Sequence, residues 1–238
     1  MYLYGKNSVS ERLKKNPQTI HAVYMEDKFA DDDIEKLIKL NNITAKKLPQ
    51  DKLTKIKFSS NLQGILAQVD NFKYSDFDEL LTEGLAKNET IIFLDRVYDP
   101  QNLGAIMRNS ACFGGFSLVI PKHKACEVTE TVLHVACGAE NYVKTAMVSN
   151  ISNAVIKAKK EGFWIMGAML DADAKELNTI SIPFPLGVVF GSEGEGVRYG
   201  VGKQIDIKAK IPMHGAELSY NVSAASAIFC YEINRQKK

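Results

Sequence analysis

Ile91-Ile-Phe-Leu94-Asp95-Arg-Val-Tyr-Asp99-Pro100-Gln-Asn102-Leu-Gly104-Ala-Ile-Met-Arg108-Asn109 runs from an unbroken apolar stretch through a polar turn into a helical stretch. Apolar residues without polar alternation predict a strand buried on both faces. Asp-Pro initiates the turn, and Asn102 is expected to cap the helix that carries Arg108. Strand, turn and helix in that order are half of a parallel crossover unit, so this stretch sets the fold class.

Further apolar runs predict strands at Ser117–Ile120, Val143–Val148, Phe163–Leu170, Leu186–Phe190 and Ile205–Ile211, with helical stretches between most of them. The expected fold is therefore α/β, a mainly parallel sheet covered on both faces, whose ligands sit at the carboxyl ends of its strands. Upstream, Ser8-Val-Ser-Glu11 has the spacing of a capping box, Ile20–Met25 reads as a strand, and Asp32-Asp-Ile-Glu35 opens a helix through Leu40. With strands at Ile43–Leu48 and Gly64–Val69, residues 1–70 form a small α/β unit. Residues 71–88 are charged and turn-rich and read as a linker carrying a short helix. Residues 89–238 are then the second domain.

The chain has 238 residues, 45% of them hydrophobic, which fits a soluble globular protein. Its apolar runs are too short to span a membrane and the N-terminus lacks a signal peptide's apolar stretch, so a cytoplasmic protein is expected. Cys112, Cys126, Cys137 and Cys230 show no pairing or zinc spacing and are expected to be buried free thiols, with no metal. The charge is uneven. Residues 1–70 hold 12 Lys+Arg and 9 Asp+Glu, a balance of +3, against −1 for the remainder, which points the N-terminal unit toward an anionic partner.

Two more loops lie at predicted strand ends. Gly191-Ser-Glu193-Gly-Glu195-Gly196 is dense in glycine, so a ligand can approach its backbone. Its spacing is not a dinucleotide fingerprint, which disfavours a nicotinamide oxidoreductase. Two acids also make it a poor phosphate cradle, and a neutral or cationic ligand fits better. The last loop is Ile211-Pro-Met213-His214-Gly-Ala-Glu-Leu-Ser219-Tyr220-Asn221, followed by a helix of small residues, Ser223 to Ala227. Ser219 and Asn221 stand where helix caps belong. A surface that small predicts close approach by another helix, a ligand or a second subunit.

Together, Asp99-Pro-x-Asn-x-Gly-x-x-x-Arg108, Phe190-Gly-Ser-Glu-Gly-x-Gly196 and Ile211-Pro-Met-x6-Ser-x-Asn-Val-Ser223 resemble the three motifs of the SpoU (TrmH-like) RNA ribose 2′-O-methyltransferases. Tyr4-Gly-Lys-Asn-Ser-Val and Gln63-Gly-Ile-Leu-Ala67 resemble that family's L30e-like RNA-binding extension. The resemblance implies a C-terminal deep trefoil knot, a homodimer joined through the last helix, and S-adenosylmethionine held by Gly191, Ile211, Met213, Tyr220 and Asn221. It implies catalytic roles for Arg108, Asn102, Glu193, Ser219 and Asn221. Tyr220 stands where the family pattern leads one to expect leucine. Within that family the two-part architecture resembles that of the enzymes acting on a guanosine of 23S rRNA, which implies that substrate, with tRNA as the second substrate class and a non-catalytic RNA-binding protein as the third reading.

Overall fold

Every residue of β5 (Thr90–Asp95) is buried, and the strand runs parallel between β6 (Phe116–Pro121) and β10 (Leu186–Gly191). The structure, a computed structural model, describes residues 1–238 apart from Ser60, Glu193, Glu217 and Lys238. β7 (Thr145–Val148) lies beyond β6, and β8 (Trp164–Ala168), β11 (Ile207–Lys210) and β9 (Lys175–Glu176) continue beyond β10 in a seven-stranded sheet. The pairings in this sheet are all parallel. Strand order reverses between β5 and β10, which leaves a crevice at their carboxyl ends.

α5 (Pro100–Phe113) and α9 (Val222–Gln236) cover one face, burying Leu103, Ile106, Phe229 and Ile233 with Ile92 and Val188. α4 (Phe77–Lys87) and α7 (Ile151–Lys160) cover the other, where Leu80, Leu81 and Val155 meet Ile91 and Phe93. The stretch expected to act as a linker thus contributes Leu80 and Leu81 to the packing of the second sheet. The short α6 (Glu130–Ala136) and α8 (Tyr199–Gly202) complete this part.

The first sheet has four strands in the order β1 (Tyr2–Tyr4), β4 (Ile65–Val69), β2 (Ile20–Glu26), β3 (Ala45–Leu48). Its helices are α1 (Lys6–Lys15), α2 (Asp32–Leu40) and α3 (Gln50–Ile56). The capping box expected at Ser8 is not used. α1 starts earlier, with Gly5 as N-cap, and Ser8 is buried with its Oγ donating to the Leu133 carbonyl at 3.4 Å.

That contact belongs to a seam between the two sheets. Tyr4 stacks on His134 with ring centroids 4.2 Å apart, and the His134 Nδ1 lies 3.0 Å from the Tyr4 carbonyl oxygen. Arg12 pairs with Glu140 at 3.1 Å, and the Tyr142 hydroxyl donates to Glu11 at 2.5 Å. α1 therefore rests on α6 and on the turn that follows it.

Candidate active site

The three loops singled out by sequence all leave the sheet at its carboxyl edge, after β5, β10 and β11. Two of them wall a cleft of about 420 Å³ together with the end of β8 and the start of α9. Such a volume suits a ligand the size of a nucleoside derivative. Phe190, Ile211, Val222 and Phe229 supply apolar lining, and Ser192, Ser219 and Tyr220 supply hydroxyls.

The glycine loop folds back on itself. Ser192 and Gly196 exchange backbone hydrogen bonds of 3.2 and 3.0 Å, and a Cβ on Gly191 would lie 2.0 Å from the Gly196 carbonyl carbon. Gly191 is thus required first by its own loop. Fully buried Asp95 anchors the far end, accepting from the Arg198 amide at 3.0 Å and from its Nε at 2.8 Å. The hydrogen bond to Asp95 also raises the Arg198 pKa above its ordinary value.

Of the residues expected to hold a cofactor, Gly191, Ile211, Met213 and Tyr220 line the cleft, and so does Ser219. Asn221 stands beside them as the N-cap of α9, its Oδ1 accepting from the Ser223 amide at 2.8 Å. Asn102 and Arg108 are elsewhere. Asn102 is buried inside α5 and does not cap it; Asp99 does, accepting from the Gln101 amide, because the helix begins at Pro100. Arg108 is exposed with its Nη1 3.5 Å from the Cys137 Sγ, outside the cleft. Glu193 lies outside the described residues. His214 is exposed and does not line the cleft.

The expectation that all four cysteines are buried needs correction. Only Cys230 among the free cysteines is buried, its thiol pushed up to about 12 by that burial, whereas Cys112 is exposed and Cys126 and Cys137 are half-buried. They lie on helix ends and surface loops, where burial is incomplete. Two acids that line the cleft have basic partners. Glu195 accepts from Arg96 at 2.8 Å, and Asp171 pairs with Lys208 at 2.8 Å. The small residues of α9 admit another helix, one of the three partners expected for them, α5 of the same chain: the Asn109 Nδ2 donates to the Ser223 carbonyl at 2.9 Å and lies 3.2 Å from the Ser226 Oγ. Ala225 faces the cleft instead.

Sequence reasoning missed Met169, Leu170 and Asp171, which wall the cleft from the end of β8. The signal was present, since Phe163–Leu170 was already read as a parallel strand and its carboxyl end is where a crevice belongs. Among the described residues, no group of three or more His, Cys, Asp or Glu side chains is placed to hold a metal ion. No helix among them is long and apolar enough to cross a membrane.

A model of the SpoU rRNA methylase family matches residues 89–231, and one described as RNA 2′-O ribose methyltransferase substrate binding matches residues 2–75. A 23S rRNA (guanosine-2′-O-)-methyltransferase of Nitrosomonas europaea, RlmB, is 33% identical over 99% of this chain and 91% of its own length. An uncharacterised tRNA/rRNA methyltransferase of Archaeoglobus fulgidus is 37% identical over 72% of this chain and 75% of its own. Among solved structures, the SpoU methyltransferase AviRb of Streptomyces viridochromogenes in complex with AdoMet superposes with a TM-score of 0.82. It covers 100% of this chain and 90% of its own at 17% identity, a likeness of fold.

Proposed function

The chain belongs to the SpoU rRNA methylase family, and we infer that it is an S-adenosylmethionine-dependent RNA ribose 2′-O-methyltransferase acting on a guanosine of 23S rRNA. The observation that carries the reading is the cleft at the carboxyl ends of β10, β8 and β11, walled by the second and third motif loops. Relatives named for both tRNA and rRNA make transfer RNA the second reading of the substrate.

The cleft fits the cofactor: it is large enough, apolar where an adenine is to be buried, and edged by backbone and hydroxyl groups. Gly191, Ile211, Met213 and Tyr220 are the residues we assign to hold it, with Asn221 fixing the loop from the head of α9. S-adenosylmethionine, when bound, supplies a methyl group on a sulfonium. Positioning the ribose oxygen behind that carbon can account for much of the acceleration. We assign Ser219 and Asn221 to orienting the ribose, and Glu193 and Asn102 to holding the motif loops. Arg108 stands outside the cleft, so its guanidinium meets the RNA rather than the cofactor. The role we assign it is to clamp a substrate phosphate and stabilise the developing alkoxide.

We assign residues 1–70 to RNA binding, on their excess of positive charge and the substrate-binding family match. A trefoil knot in the C-terminal segment, a homodimer joined through α9 and a cytoplasmic location complete the proposal. The test is incubation with labelled S-adenosylmethionine and unmodified 23S rRNA or tRNA transcripts, followed by alkaline hydrolysis. An alkali-resistant labelled dinucleotide is expected from the ribosomal RNA, and its absence from every RNA would refute the activity. Light scattering tests the dimer.

A further inference from the structure

A second cleft, of about 220 Å³, opens beside the glycine loop and is lined by Arg96, His123, Lys124, Ser149, Asn150 and Arg198. Its walls follow three adjacent parallel strands: Arg96 comes directly after β5, His123 and Lys124 after β6, and Ser149 and Asn150 after β7. Three permanent cations line it, and the carboxylates paired with them are Asp95 on Arg198 and Glu195 on Arg96. Lys124 is exposed and has no partner among the described residues. The lining is therefore positive.

Arg96 and Lys124 both adopt left-handed backbone conformations, with φ of 66° and 56°. Long side chains rarely occupy that region, where glycine is at home. Two cations held there at the mouth of one cleft are the kind of backbone outlier that marks a functional site. The Arg96 Nε is moreover buried without a hydrogen-bond partner among the described residues. Asn150 caps α7, so the positive end of a ten-residue helix reaches the same cleft.

We propose that this cleft is an anion subsite that takes a backbone phosphate of the RNA substrate, separate from the phosphate met by Arg108. The inference rests on the RNA methyltransferase reading for its choice of ligand. The glycine loop separates the two clefts. Glu195 and Val197 line the cofactor cleft, while Arg96, the partner of Glu195, and Arg198, the neighbour of Val197, line the second. A phosphate held here places the RNA against the outer side of the loop whose inner side faces the cofactor.

The test is the salt dependence of RNA binding, measured by fluorescence anisotropy on the full-length protein with a 23S rRNA fragment and with a tRNA transcript. Lys124→Gln removes a cation that holds nothing else in place. Arg96→Gly removes a second and relieves its backbone strain. Each is expected to weaken binding and to make the slope of log K against log salt shallower by about 0.7–0.9, the loss of one phosphate contact. Calorimetry with S-adenosylmethionine checks that the Lys124→Gln protein keeps its fold. An unchanged slope and affinity in both variants, for both RNAs, overturns the subsite even if the wild type methylates RNA. A changed slope in a protein that methylates no RNA upholds the subsite and sinks the enzymatic reading instead. If inorganic phosphate binds the wild type but not Lys124→Gln while the RNA slope is unchanged, the cleft serves a free anion and the proposal fails.

Discussion

Asn221 caps α9, and mutation can separate that role from the one proposed for it in methyl transfer. Its Oδ1 accepts from both the amide and the hydroxyl of Ser223, at 2.8 and 2.6 Å, and so starts α9. Losing such a cap costs about 1 kcal/mol. Asn221→Ala is therefore expected to lower stability by about that amount and to abolish methyl transfer, whereas Asn221→Asp keeps the cap and should lose activity alone. Thermal melts beside a methylation assay read the difference; full activity in Asn221→Asp would reduce the residue to a cap. Gly191 tests the loop. A Cβ there meets backbone atoms of Gly196 and Val197 within 2.2 Å, and backbone cannot swing aside as a side chain can. Gly191→Ala should displace the loop at a cost of about 1–3 kcal/mol and reduce cofactor affinity in calorimetry. Wild-type affinity would show that the cofactor does not need this loop closed.

At the scale of elements, the seam between α1 and the turn after α6 holds two carboxylates that respond oppositely to pH. Lys14 and then Tyr142 hold Glu11 below its usual value of 4.5, so its contribution is present above that pH and is lost as acid protonates it. Burial pushes Glu140 upward despite Arg12, so its contribution is complete when protonated and is lost as pH rises through the raised value. The neutral form of Glu140 is thus the one the seam favours. Glu140→Gln should raise the melting temperature at neutral pH and leave it unchanged near pH 4. Arg12→Ala is expected to do the opposite, leaving a buried carboxylate unpaired at a cost of about 3–5 kcal/mol. A loss of stability in Glu140→Gln at neutral pH would mean that the ion pair outweighs its desolvation. None of this seam was legible in the sequence, because its partners lie 128 residues apart and no local pattern marks them. Strands buried on both faces announced themselves as unbroken apolar runs. The elements missed, β1, α3 and β9, are short, and α3 buries only Leu53, too little to make a period.

For the whole molecule, the cleft was readable because loops that follow parallel strands must emerge at one edge, so motifs far apart in sequence converge there. Where Asn102 and Arg108 point was not readable, since it depends on how α5 rolls between α6 and α9. Nor was the joining of the sheets: one apolar cluster runs from Leu3, Val9 and Leu13 of the first part through Leu133 and Ala136 to Ile92 and Phe229 of the second. A continuous core, with the Tyr4–His134 stack across the seam, is expected to make the two parts unfold together. Calorimetry of the wild type is then expected to show a single transition. With S-adenosylmethionine bound, as proposed, only by the folded second part, a hundredfold excess over its Kd should move that whole transition upward by roughly 5–10 °C. Arg12→Ala weakens the seam without touching either sheet's own interior. It should split the melt into two steps, of which only the one belonging to the seven-stranded part still responds to cofactor. Two steps already present in the wild type, with one indifferent to S-adenosylmethionine, would show that the seam is a contact between independent units.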